Sequence, residues 1–120
     1  MCRTSKVDPA GIITKVAGTG EAGYTGDGDP AVEATISSIT GLAVDSTGDL
    51  YIADSGNDVI RRIDPSGVIT TVAGTGVAGL SGDCGPAASA QLDSPSALAV
   101  HDGIVYIVDA VNFRIRMIVP

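Results

Sequence analysis

A repeat at a spacing of 56 residues is the feature of this sequence that most restricts its fold. Residues 11–20 read GIITKVAGTG and residues 67–76 read GVITTVAGTG. After a deletion of one residue the agreement resumes, so that YIAD at 51–54 matches YIVD at 106–109. Self-similarity over nearly the whole chain indicates a repeat protein in which each repeat is one supersecondary unit.

Each repeat is predicted to contain four short β-strands, which we name a, b, c and d. In the middle repeat they cover residues 42–45, 50–53, 59–63 and 68–73, and all are rich in Val, Ile and Leu. Turn residues such as Asp64-Pro65-Ser66-Gly67 join them, and connections this short require antiparallel neighbours. A four-stranded antiparallel meander that recurs at this spacing is typical of a β-propeller blade. We therefore predict an all-β fold with about two blades per chain.

The strand motifs themselves resemble a known family. The middle repeat reads GLAVD at 41–45, LYIAD at 50–54, IRRIDP at 60–65 and ITTVAG at 69–74. This pattern is similar to the NHL-repeat family of β-propellers, and the resemblance covers residues 4–119. The Asn-His-Leu triplet that names the family is reduced to its Asn, because the chain has Asn57-Asp58-Val59 and Asn112-Phe113-Arg114. The resemblance implies a propeller that serves as a platform for protein or ligand contacts.

The strand count predicts an open ring. Residues 1–17 supply strands c and d, residues 41–73 a complete blade, and residues 97–120 strands a, b and c. Long inter-blade loops cover 18–40 and 74–96. Each is expected to include a short helical turn with Pro30 or Pro86 at its first helical position, and Ile36 and Leu92 are expected to pack these turns onto the sheet. Nine strands make two blades and one surplus strand, whereas a closed propeller needs about four to eight blades.

An open ring leaves apolar faces and strand edges uncovered, which favours association. Either the chain is a fragment or copies assemble, and we expect self-association as a trimeric six-blade ring or a strand-swapped dimer. The C-terminal strand at 113–118 is more apolar than the first strand, so residues 1–5 are expected to be frayed or displaced. The residues predicted to mediate self-association are Val7, Ile12, Ile13, Val16, Ile104, Tyr106, Ile107, Phe113, Ile115 and Met117.

The long loops and the b–c turns are expected to share one edge of the blades, and this edge carries many acids. With a net charge of −7, the chain is a poor partner for nucleic acid. An acidic loop face favours a basic protein, a ligand or a cation. The candidates for this ligand or partner face are Asp27, Asp29, Asp54, Asp58, Asp83 and Asp109.

A metal site is a minor possibility on the same loops. Asp27-Gly28-Asp29 offers oxygen ligands of the kind that Ca²⁺ prefers, but the second copy, Asp83-Cys84-Gly85, is one carboxylate short. We expect no cofactor and solvated turn residues there. Asp54 with Asn57, and Asp109 with Asn112, are interpreted as pairs that bond the backbone of their own turn.

No residue stands out as catalytic. His101 is the only histidine and is expected on the opposite edge. Arg61 and Arg116 recur on strand c and are interpreted as blade-surface or inter-blade ion-pair residues. The preferred function is a non-catalytic binding and assembly module. The alternatives are part of a metal-dependent lyase or hydrolase whose catalytic residues lie outside this chain, as in some similar propellers, and a blade pair that only self-assembles.

The sequence says little about location. No apolar run approaches the 18 or so residues needed to cross a bilayer, and no apolar stretch follows residues 1–6 as a signal peptide requires. We expect no membrane contact and no signal peptide, and the compartment stays open. The two cysteines, Cys2 and Cys84, lack metal-site spacing and are expected to be unpaired thiols.

Overall fold

The fold is all-β and is built from three antiparallel sheets, as a computed structural model of the chain shows. It describes residues 4–7, for their backbone, and residues 11–119. The first sheet pairs β1 (Thr4–Val7) with β2 (Ile13–Ala17). The middle sheet has the order β3–β4–β5–β6, and the third has the order β7–β8–β9.

The middle sheet is a complete meander blade, and within the described residues the third sheet contains three strands. The middle strands are β3 (Ile39–Val44), β4 (Leu50–Asp54), β5 (Val59–Ile63) and β6 (Ile69–Ala73). The third sheet contains β7 (Pro95–His101), β8 (Ile104–Asp109) and β9 (Arg114–Ile118). The predicted fold class is confirmed: these are antiparallel blades of the propeller type.

Strands β3 and β7 are longer than predicted, since each begins three residues before its predicted start. A bulge near Gly41 lets Ile39 pair with Asp54. Gly41 also lies against the next blade, where a Cβ atom would come within 2.9 Å of the Ala97 Cα. Such a close approach of two strands requires glycine. The junction between the middle and third blades therefore forms where β3 meets β7.

The long loops contain single 3-10 turns at Ala31–Glu33 and Ala87–Ser89, in the places where short helical turns are predicted. Pro30 and Pro86 precede these turns with extended ψ angles instead of occupying the first helical position. Further 3-10 turns occupy Ser55–Asn57 and Ala110–Asn112. Among the described residues, no helix is long and apolar enough to cross a membrane.

Two apolar cores lie on opposite faces of the middle sheet. The first core joins the β1–β2 sheet and the first long loop to the middle sheet through seven buried residues: Ala17, Ala31, Ala34, Ile36, Ile52, Ile63 and Ile69. The second core joins the middle sheet to the third sheet through Ala53, Ile60, Ala73, Leu92, Val105 and Ile107. As expected, Ile36 and Leu92 pack the long loops onto the sheets. The middle blade is thus covered on both faces, while each outer blade is covered on one.

Candidate functional site

Asp54 fastens the first long loop to the end of strand β4. Its carboxylate is fully buried, accepts a hydrogen bond from the Ser37 amide at 2.9 Å and another from Asn57 Nδ2 at 2.9 Å. Asn57 Nδ2 also donates to the Gly23 carbonyl at 2.8 Å. Burial raises the pKa of Asp54 above its usual value. The hydrogen bonds and the nearby charge of Arg61 act in the opposite direction but do not outweigh the burial. The Asp54 carboxylate therefore attaches the first long loop to the middle blade.

The same arrangement recurs in the third blade. Asp109 is fully buried and accepts from the Asp93 amide at 2.8 Å and from Asn112 Nδ2 at 2.8 Å. Asn112 in turn donates to the Gly79 carbonyl at 2.9 Å. The interpretation that these pairs bond the backbone of their own turn is wrong: their backbone partners lie in the preceding long loop.

Arg61 is buried inside the middle blade and ties three segments together. Its guanidinium donates to the Thr35 and Thr25 carbonyls, each at 2.8 Å, and to Asp27 Oδ1 at 2.9 Å. It also lies 3.5 Å from Asp54 Oδ2. Of the two interpretations of Arg61, the structure supports an inter-blade ion pair, since Asp27 belongs to the loop that leads from the preceding blade.

Arg116 repeats this network in the third blade. It donates to the Gln91 and Ser81 carbonyls and forms ion pairs with Asp83 at 2.7 Å and Asp109 at 3.1 Å. Its side chain is 9% exposed, whereas that of Arg61 is fully buried. The recurrence gives both arginines a structural function in attaching loops to blades.

The six acids predicted to form one face are not brought together. Asp54 and Asp109 are buried, so their assignment to an exposed ligand face is wrong: both carboxylates are used to hold loops. Asp58 accepts a hydrogen bond from the Ser94 amide and so links two blades. Asp29 and Asp83 stay exposed. That the exposed acids bind a basic partner stays a prediction.

The structure argues against the Asp27-Gly28-Asp29 segment as a cation site. Asp27 Oδ1 is paired with Arg61, and Oδ2 accepts a hydrogen bond from the Thr71 hydroxyl. Both carboxylate oxygens of Asp27 are thus used inside the fold, so the segment does not offer the several free oxygen ligands that Ca²⁺ takes. Within residues 11–119, no three His, Cys, Asp or Glu side chains are grouped as a metal would need.

The residues predicted for self-association fall into exposed and buried sets. On β9 and the residue before it, Phe113 is 94% exposed and Ile115 is 74% exposed. Ile107 belongs to the buried set, since it packs in the second core, and its part in self-association stays a prediction. The side chain of Val7 and residues 1–3 lie outside the described part of the chain. The rest are exposed or half-buried: Ile12, Ile13, Val16, Ile104, Tyr106 and Met117.

A groove of about 710 Å³ lies beside β9, and no sequence motif indicates it. Its floor contains Leu92 and Ile107, and one wall is the loop segment at 82–87. Asp83 and Cys84 are exposed at its rim. The strand count predicts an open third blade, but only the fold of the long loop over that blade turns the opening into a groove.

Curated relatives match most of this chain. Human Teneurin-4 is 41% identical over 102 residues, which cover 73% of this chain and 4% of that protein. Mouse Teneurin-1 is 37% identical over 123 residues, which cover 86% of this chain and 4% of that protein. The chain thus spans about one twenty-fifth of the length of these relatives.

Solved structures share the fold. A Bacteroides thetaiotaomicron protein of unknown function superposes with a TM-score of 0.82 at 27% identity, over 94% of this chain and 28% of that chain. An auxiliary nutrient binding protein from the same organism gives a TM-score of 0.73 at 24% identity, over 96% of this chain and 31% of its own. The second likeness shows the fold alone.

The family comparison identifies the repeat. Residues 4–80 match the Teneurin NHL domain family, which is more than half of the chain. The NHL resemblance inferred from the strand motifs is therefore confirmed. By its repeats, its antiparallel blades and this match, the chain belongs to the teneurin NHL domain family.

Proposed function

We propose that this chain is a non-catalytic NHL propeller module that associates with further copies of itself into a larger ring. The observation that carries the proposal is the uncovered outer face of the third blade. Phe113, Ile115 and Met117 expose more than half of their side chains there. Contiguous apolar surface of this kind marks an interaction site in soluble proteins.

Comparison with the middle blade indicates what should cover the exposed face of the third blade. Ile60 of β5 is fully buried against the third sheet, and Ile115 holds the corresponding position of β9. A neighbouring blade is what covers Ile60, so a further blade is the natural cover for Ile115. A second copy can supply that blade in a three-copy ring or in a strand-swapped dimer.

The non-catalytic part of the proposal rests on how the charged residues that recur in both repeats are used inside the fold. The buried carboxylates Asp54 and Asp109 and the arginines Arg61 and Arg116 hydrogen-bond to one another or to loop backbone. His101 is exposed and lies 3.3 Å from Asp102. These contacts support structural functions for the polar residues that would otherwise be the first catalytic candidates.

The mass in solution tests the proposal. We expect light scattering to give two or three times 11.9 kDa at micromolar concentration. Ile115→Ser removes exposed apolar surface and should weaken association, while the matched control Val77→Ser, which changes a loop residue that is 61% exposed, should not. A compact 11.9 kDa species at all concentrations would overturn the proposal and leave further blades of a longer chain as the cover.

A further inference from the structure

The groove beside β9 is an incomplete copy of the first core. Six of the seven residues of the first core have counterparts 56 residues later, or 55 residues later after the deletion. All six counterparts line the groove: Ala73, Ala87, Ala90, Leu92, Ile107 and Ile118. The groove therefore contains the counterparts of six of the seven residues of the closed first core and lacks the seventh.

The missing occupant is the counterpart of Ile69. Ile69 belongs to β6, the fourth strand of the middle blade, and is fully buried. The third blade has no fourth strand among the described residues. Strand β2 has nearly the same sequence, ITKVA against ITTVA in β6, and there Ile13 takes the position of Ile69 and is 67% exposed. Ile13 is thus an exposed copy of the side chain that the groove lacks.

The backbone of the groove is arranged for a strand. In the middle blade the first long loop pairs with β6: the Gly28 amide donates to the Ile69 carbonyl at 2.7 Å, and the Ile69 amide donates to the Asp29 carbonyl at 3.1 Å. The counterparts of Gly28 and Asp29 are Cys84 and Gly85, and both line the groove. An entering strand can repeat these bonds by β-augmentation.

The positive charge of Lys15 favours β2 as the strand that fills the groove. The Thr71 hydroxyl of β6 donates to Asp27, and Lys15 holds the position of Thr71 in β2. The counterpart of Asp27 is Asp83, whose Oδ1 is paired with Arg116 and whose side chain is 66% exposed. A lysine from β2 would meet this carboxylate. Tyr24, whose hydroxyl forms a hydrogen bond with the Thr71 hydroxyl at 2.7 Å, is replaced by the shorter Leu80 in the third blade.

We infer that the groove binds strand β2 of a second copy, with Ile13 in its floor and Lys15 against Asp83. This inference rests on the proposed self-association and names its contact. Because β2 would then pair with β9, it must give up its pairing with β1. The displacement of the first strand that the sequence predicts follows from this arrangement and stays a prediction.

Variants of β2 test the contact by the dissociation constant of association in sedimentation experiments. Ile13→Ser should weaken association on the order of tenfold or more, since a buried isoleucine is lost. Lys15→Glu should weaken it by roughly tenfold in low salt. Both side chains are exposed in the single chain, so its fold should be unaffected.

A second substitution separates the Lys15–Asp83 pair from general electrostatics. Adding Asp83→Asn to Lys15→Glu should strengthen association by roughly threefold relative to Lys15→Glu alone, because two carboxylates no longer repel each other while the asparagine oxygen can still accept a hydrogen bond from Arg116. The matched control is Lys15→Glu with Asp102→Asn, which removes the same charge from a side chain that is 84% exposed on another turn. Equal behaviour of the two double variants would overturn the Lys15–Asp83 pair.

Amide exchange tests the register. On association the Cys84 and Ala87 amides should become protected, as the Gly28 and Ala31 amides are bonded in the middle blade. The amides of β1 should lose protection. If the wild type associates but Ile13→Ser and these amides are unaffected, the inference fails while the proposed function stands. If the wild type stays monomeric, the proposed function itself fails.

Discussion

The middle and third blades contain nearly the same residues in two different environments. Arg61 and Arg116 make the same carbonyl and carboxylate contacts, and Asp54 and Asp109 hold the same loop positions. The blades differ in apolar burial: Ile60 is fully buried, whereas Ile115, its counterpart, is 74% exposed. Polar attachment of the loop therefore belongs to each repeat, while apolar burial depends on neighbouring strands and blades.

This difference follows from the physics of repeat proteins. The arginine and aspartate contacts join residues within one repeat and the loop before it, so each repeat can form them alone. A blade face, by contrast, buries its side chains only against the next repeat, so the stability of an array depends on its interfaces. The middle blade has both interfaces and the third has one. Comparing matched residues in the two blades measures what the missing interface contributes.

The largest predicted effect is the loss of Arg61. Arg61→Met leaves the buried Asp54 without its cation and should lower the free energy of unfolding by about 3–5 kcal/mol. Arg116→Met likewise leaves the buried Asp109 without its cation. It should cost less than Arg61→Met, because Arg116 itself is 9% exposed and its second partner, Asp83, is 66% exposed, against 40% for Asp27. Urea unfolding of both variants at one protein concentration measures the difference.

The exposed Arg114 supplies the control for both arginine variants. Its side chain is exposed to solvent and donates to the Asn112 carbonyl at 3.1 Å. Arg114→Met should therefore change the free energy of unfolding by less than about 0.5 kcal/mol. If Arg61→Met and Arg116→Met lower the free energy of unfolding equally, hydration of the exposed Asp83 does not reduce the cost of removing Arg116.

The next effect compares the two loop anchors Ile36 and Leu92. Ile36→Ala makes a cavity in the closed first core and should cost about 2–4 kcal/mol. Leu92→Ala should cost less in the single chain, because Leu92 lines the open groove and the space left by the shortened side chain can be filled by water. The cost of Leu92→Ala should rise when the groove is filled.

Protein concentration provides the measurement for this second comparison. Unfolding at low and high concentration should leave the cost of Ile36→Ala unchanged relative to the wild type and increase the cost of Leu92→Ala, since association stabilises the folded state. A concentration-independent cost for Leu92→Ala would mean that the groove is not filled by association.

Most of the fold could be predicted from the sequence, because strand patterns and turns are local signals. The YIAD and YIVD motifs and the Asp64-Pro65-Ser66-Gly67 turn fix the strands and their antiparallel order. The early start of β3 could not be predicted, because this end of the strand depends on the close contact of Gly41 with Ala97 in another repeat. A close approach between repeats leaves no periodic signal in the sequence.

The site could be predicted only in part. The repetition of Asp54, Asn57 and Arg61 in the next repeat marks them as structural, but spacing does not tell whether a carboxylate faces water or an arginine. Asp54 and Asp109 were therefore assigned to the surface and proved to be buried. The groove depends on how the long loop returns over the blade, and that path is set by tertiary hydrogen bonds.

The smallest effect concerns the a–b turns, in which the two blades differ. In the middle blade the Asp45 carboxylate accepts hydrogen bonds from the Thr47 hydroxyl at 2.7 Å and from the Thr47 and Asp49 amides, each at 2.9 Å. The third blade replaces this turn with the two-residue Asp102-Gly103 connection. The Thr47 hydroxyl above all, together with these amides, lowers the pKa of Asp45 below its usual value of 3.8.

Asp45→Asn should therefore lower Tm slightly at pH 7. A carboxyl whose pKa is lower in the folded state than in the unfolded state stabilises the fold above pH 3.8, and this contribution is lost as pH falls through the folded pKa. The Tm difference between wild type and variant should thus shrink in acid. Thr47→Val, which removes the hydroxyl donor, should reproduce part of the loss with the same pH dependence. A Tm difference that stays constant from pH 7 to pH 2 would mean that the turn is stabilised by its backbone conformation alone, as in the shorter turn of the third blade.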